Sequence, residues 1–193
     1  MNTTGHQTHS LKSTILALSC LLASCVGSLC AQTPEQPKPG PEHKKLEVSV
    51  GEWGYEGEAK DSPFGPAGKF RGKTTSRMVL NGFFRESRWE DKGDTGYIAQ
   101  GIVLRGYDPV TKTYVDYGFE NDGSVTPGST TVSGNTWTGT GTRTDSKGKN
   151  YKMKSVMTFS SDGKTWTEKS EYSADNGQTW MTFYELTGKK VNK

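Results

Sequence analysis

From Gly51 onward, apolar and polar positions alternate with a period of two in short runs separated by turn residues, and no convincing run of period 3.6 interrupts them. A period of two is the signature of strands with two unlike faces. The runs predict ten strands, at 51–59, 70–80, 83–91, 97–107, 113–120, 124–133, 135–144, 150–160, 165–173 and 179–187. Asn81-Gly82 reads as a two-residue hairpin turn, and Asp162-Gly163 and Asn176-Gly177 supply residues that tolerate positive φ. Residues 108–112 and 146–149 read as slightly longer turns. Joints this short pair each strand with the next as an up-and-down meander and leave no room for a helical crossover. Such a meander either closes on itself or stacks as two sheets. Closure removes the exposed edges and is the expected outcome, with strands 51–59 and 179–187 sharing backbone hydrogen bonds.

The alternation also sorts side chains by face. Strand 150–160 opposes Tyr151, Met153, Ser155, Met157 and Phe159 to Lys152, Lys154, Val156 and Thr158. Strand 135–144 opposes Trp137, Gly139, Gly141 and Arg143 to a row of threonines. Strand 83–91 sets Phe83, Arg85, Ser87 and Trp89 against Phe84, Glu86, Arg88 and Glu90. With the aromatic faces inward, the interior mixes large rings, glycines and a few polar groups. Gly57, Ala59, Gly139 and Gly141 then either leave space for a cavity or serve strand bending.

Ahead of the strands the pattern changes. Residues 11–31 hold an apolar core from Ile15 to about Val26, preceded by Lys12 and followed by a Pro-rich segment. That core is too short to span a bilayer, and the order matches a secretory signal peptide, so residues 1–31 are expected to be removed on export. Leu22-Ala23-Ser24-Cys25 resembles a lipoprotein processing site that would anchor the chain by lipid at Cys25; a cut after Ala31 is the alternative. Residues 32–41, QTPEQPKPGP, read as an extended linker, and a short helix opens at Pro41-Glu42 before a barrel domain over 42–193.

Composition narrows the chemistry. All three cysteines, Cys20, Cys25 and Cys30, lie in the expected signal segment, and His43 is the one histidine beyond it. Cysteine nucleophiles, Ser-His-Asp triads and zinc sites of the usual His/Cys composition are therefore not expected, nor is any cofactor. Beyond residue 31 the chain has 23 basic and 21 acidic residues, a net charge of +2, with the signs interspersed. That balance offers no footprint for nucleic acid. Ser173–Trp180 matches the Ser-x-Asp-x-Gly-x-Thr-Trp turn of sialidase-type propellers, and 160–166 nearly matches it. A propeller needs far more chain, so both are read as hairpin turns.

Gly51-Glu52-Trp53, following a short helix and opening the first strand, resembles the Gly-x-Trp start of lipocalins and related calycin barrels, and Gly57 extends the likeness to nitrobindin-like barrels. The resemblance implies that Trp53 closes one barrel end against the helix. Nitrobindin-like barrels bind haem through a histidine, but His43 precedes the first strand, so that role is not carried over. With PGPEHKKLEVSVGEW, GYDPVTKTYV and DGKTWTEKSEY, the chain is similar to a lipocalin-like bacterial family of unknown function, of the DUF1579 type, from about Pro39 to Leu186. That family implies a calycin-type barrel, often exported, and offers no catalytic residue to transfer.

The functional expectation is an exported, non-enzymatic binding protein, periplasmic or secreted, holding a small hydrophobic or amphipathic ligand. Trp53, Tyr55, Trp89, Tyr117, Tyr172 and Tyr184 are the candidate aromatic contacts. Met153 and Met157 are adaptable apolar ones, and Arg85 and Glu168 are charged anchors expected to lie close together inside. Two alternatives share the scaffold: a carboxylate-based enzyme using Glu168, and a module that recognises a protein or glycan on its outer sheet.

Overall fold

A computed structural model describes residue 1 and residues 35–191. The expected signal segment, its lipid-anchor candidate Cys25 and the start of the linker lie outside the described residues. The chain divides into two units, Met1–Pro37 and Lys38–Lys193, and the second carries all the described secondary structure.

A five-residue helix α1, Pro41–Lys45, runs into a 3-10 turn, Leu46–Ser49. Proline at its first position costs no hydrogen bond, and the Gly40 N–H donates to His43 Nδ1 at 3.1 Å. Ten strands follow: β1 Gly51–Ala59, β2 Gly68–Val79, β3 Phe84–Gly93, β4 Ile98–Asp108, β5 Thr113–Glu120, β6 Val125–Ser133, β7 Thr136–Thr144, β8 Asn150–Phe159, β9 Thr165–Ser173 and β10 Met181–Lys190. Every sequential pair is antiparallel, and β1 pairs with β10 from Trp53–Lys190 to Ala59–Tyr184, so the sheet closes. This is the closed antiparallel barrel that the meander predicts. The largest shifts are small: β2 starts two residues early, β3 ends two residues late, and β10 runs from 181 to 190 rather than from 179 to 187.

The turns follow their sequences with one difference. Asp175 accepts from the Thr179 N–H at 2.9 Å, and Gly177 takes φ +95°, as the Ser-x-Asp-x-Gly turn requires. The Asn81-Gly82 joint is longer than two residues. Leu80, Asn81 and Gly82 all take positive φ in a 3-10 turn, because β2 ends at Val79 and β3 begins at Phe84.

Two aromatic clusters cap the barrel. At the helix end, Leu46, Trp53, Tyr114, Trp137, Phe159 and Trp166 are buried together. The Trp53 indole N–H donates to the Ser49 carbonyl at 3.0 Å, so the tryptophan closes this end against the helical segment. At the opposite end, the β1–β2 connection folds inward and buries Phe64 against Tyr151, Tyr172 and Phe183.

Candidate ligand-binding cavity

A ten-stranded barrel is wider than its own side chains readily fill. Between the two clusters lies a cavity of about 410 Å³. Its walls follow from cross-strand pairing of aromatic residues with glycines. Tyr55 faces Gly72, Phe70 faces Gly57 and Trp89 faces Gly101 in register, and each ring occupies the place a Cβ would take. Rings lying against the wall make it smooth and leave the axis open. Gly139 and Gly141 line the cavity, whereas Gly57 does not contribute space because the Glu185 carbonyl, the Leu186 side chain and the Phe70 ring crowd it.

The polar groups sit in three places. Arg85, Arg105 and Asp116 are in register across β3, β4 and β5. Arg105 pairs with Asp116, which also accepts from the Thr130 hydroxyl at 2.6 Å. Arg85 donates from Nη1 to Ser49 Oγ at 2.8 Å, and its buried Nε has no partner. Burial beside Arg105 holds the Arg85 guanidinium down to about 9, still cationic at neutral pH.

Away from this row, two carboxyls each accept from a phenol: Asp91, farther along β3, from Tyr55, and Glu168, on β9, from Tyr184 at 3.0 Å. Burial pushes Asp91 up to about 6 against the lowering effect of its phenol, and raises Glu168 likewise. Both phenols are raised in turn, first by burial and then by the adjacent carboxylates.

The third group holds the far lid. Arg143 is buried and pairs with Glu120 at 2.7 Å and Asp122 at 2.9 Å. Its guanidinium carbon lies 4.3 Å from the centre of the Phe64 ring. Burial pushes Glu120 up to about 7 despite this partner.

Eight of the ten candidate residues line the cavity: Trp53, Tyr55, Arg85, Trp89, Met153, Met157, Glu168 and Tyr184. Tyr117 does not; it is half exposed on the outer wall, because the inward positions of β5 are Tyr114, Asp116 and Gly118. Tyr172 points inward but is packed into the far cluster, its ring centre 5.3 Å from that of Phe64, rather than against the cavity. Arg85 and Glu168 are both inside, yet they form no direct ion pair among the described residues. β9 and β3 stand four strands apart one way round and six the other, which sets these side chains across the cavity from each other.

Arg105, Asp116, Asp91, Glu120 and Arg143 complete the polar interior, and the candidate list drawn from the sequence does not contain them. Their face is nonetheless legible. Arg105 shares parity with Ala99, Gly101 and Val103, and Asp91 with Arg85 and Trp89. Phe64 lies in SPFGPAG, a connection with no periodicity, and nothing in its sequence marks it as a plug. Among the described residues no group of three or more His, Cys, Asp or Glu is placed to hold a metal ion. His43 is committed to the helix start and to edge contacts with Phe83 and Tyr107, outside the cavity lining.

Fold and site together define a closed ten-stranded antiparallel barrel with an interior cavity of mixed aromatic and charged lining. The chain belongs to the DUF1579 family of proteins of unknown function, whose model matches residues 38–190. It is similar in fold to the crystal structure of Rv2717c from M. tuberculosis, with a TM-score of 0.58 and 11% identity over 79% of this chain and 99% of that one. A de novo designed fluorescence-activating β-barrel matches at a TM-score of 0.40 and 12% identity, over 75% of this chain and 95% of that one. No curated protein matches the chain.

Proposed function

We propose that this protein is an exported binding protein that holds one small, partly apolar ligand inside the barrel. The observation that carries the reading is the cavity itself. At about 410 Å³ it falls within the range of small-molecule sites, and it combines aromatic and methionine walls with a few convergent polar groups. A barrel evolved only for stability would fill such a volume with branched aliphatic side chains. Export rests on the signal-like pattern of residues 11–31. Among the described residues no helix is long and apolar enough to cross a membrane.

A second reading has one observation in its favour. Glu168 and Asp91 are desolvated carboxyls with raised proton affinity, the condition found at acid–base sites. Each is already hydrogen-bonded by a tyrosine, which suits holding a polar ligand as well as moving a proton.

Native mass spectrometry of protein purified from its own envelope fraction tests both parts. The expected result is a mature chain lacking the first residues and carrying one added small mass per barrel. Recovery of the uncleaved chain in the cytosolic fraction would reject export. Absence of both a retained mass and any uptake of neutral apolar dyes would reject the binding role.

A further inference from the structure

The polar floor of the cavity carries more positive charge than its own partners neutralise. Arg85 and Arg105 stand directly opposite each other on β3 and β4, a like-charge pairing that strands ordinarily avoid. The carboxylate in their row, Asp116, is engaged by Arg105 and Thr130. Arg85 is 7% exposed and spends one donor on Ser49, and among the described residues no carboxylate lies within ion-pair distance of it. A guanidinium has five N–H donors in a planar fork that matches an oxyanion, and an unpaired buried cation is costly to keep. The helix-end cluster packs beside this region and Arg85 is itself buried, and a low-dielectric surrounding strengthens any charge-assisted hydrogen bond made there.

We propose that the Arg85–Arg105 pair is the seat for the monovalent oxyanion head, of carboxylate class, of an amphipathic ligand. This rests on the binding role proposed above and names the chemistry of its ligand. The head sits on the helix-side floor, taking the free donors of Arg85. The apolar tail runs along Trp89, Val103, Met153 and Met157, which line the same cavity. One head of one charge matches the one arginine of the row that lacks a directly paired carboxylate, which disfavours dianions. Glu168, on β9 across the cavity, and Asp91, farther along β3 from the helix end, keep a second anion away from the rest of the cavity and leave the head at the Arg85–Arg105 row.

The test compares dodecanoate with dodecan-1-ol, two probes of equal tail, in displacing a neutral fluorophore from the full mature chain at neutral pH. Wild type is expected to bind the alkanoate about tenfold or more tightly than the alcohol. Arg85→Met should abolish that preference, with far-ultraviolet circular dichroism showing that the variant is folded. Arg85→Lys should keep part of the preference, and Arg88→Met, outside the barrel, all of it. Equal binding of the two probes by wild type, or a preference that survives Arg85→Met, overturns the anionic seat and leaves the binding role standing. Failure of wild type to take up the fluorophore or either probe overturns the binding role and the seat with it.

Discussion

Asp91 illustrates how a single buried residue sets a measurable property. Burial raises its carboxyl from 3.8 to about 6, and the Tyr55 phenol only partly offsets this. The folded state therefore binds the Asp91 proton more tightly than the unfolded chain does. The stability it contributes is fully present below the ordinary value and is lost as pH rises through about 6. The full loss is on the order of 3 kcal/mol, since each tenfold change in proton affinity is worth about 1.4 kcal/mol. Denaturant titrations at pH 4 and pH 7 should show this fall in wild type and a smaller fall in Asp91→Asn. An unchanged pH dependence in the variant would mean that Asp91 is hydrated. Gly101 makes a second residue-scale case. A side chain there meets the Trp89 ring, so Gly101→Val should cost about 1–3 kcal/mol and shift tryptophan emission as the ring leaves the wall. Native emission and stability in that variant would show that the ring does not lie on the glycine. At this scale the sequence is partly legible. Parity alone places Arg85, Trp89, Met153 and Glu168 inside, because alternation reports which face a residue occupies. It does not report how far along the barrel a side chain sits, so parity cannot separate Tyr172, in the far cluster, from the cavity wall. Tyr117 is a plain difference of face, since Tyr114 fixes the opposite face of β5 as the inner one.

Two elements close the barrel, and they differ in kind. The helix-end plug is apolar and fixed by Leu46, which is fully buried, and by the Trp53 bond to Ser49. Leu46→Ala should destabilise the fold by about 2–5 kcal/mol, read as a lowered denaturation midpoint. A loss well below that range would show that the plug does not seal the core. This end is readable from sequence, since Gly51-Glu52-Trp53 after a short helix is a local pattern. The far lid is the 60–67 connection, held by Phe64, by the Tyr97 hydroxyl donating to the Phe64 carbonyl at 3.2 Å, and by Arg143 over the Phe64 ring. It depends on one inserted ring and a set of ionic contacts rather than on regular pairing. Arg143→Met should therefore raise hydrogen exchange at 60–67 more than in the strands, since Lys60 to Gly65 make few backbone bonds of their own. Protection at 60–67 equal to wild type would place the lid's hold elsewhere. No sequence signal announces this element, because a plug formed by long-range packing leaves no period.

For the whole molecule, topology is the most legible feature. Ten short alternating runs with short joints admit few arrangements, and the β1–β10 pairing is the closed one. The register of aromatic residues against glycines is not readable in the same way, because it depends on which residue of the next strand each ring meets. That register is what leaves the axis open and turns a closed barrel into a container. The most direct test of a container is stoichiometric uptake that fails when the space is filled. Titration of the mature protein with a small neutral fluorophore such as 1-aminoanthracene should saturate at one molecule per barrel. Ser155→Trp, which places an indole in the cavity from the inner face of β8, should remove that binding while the fold persists by far-ultraviolet circular dichroism. Equal uptake by wild type and Ser155→Trp, or no saturable uptake by wild type, would contradict the account.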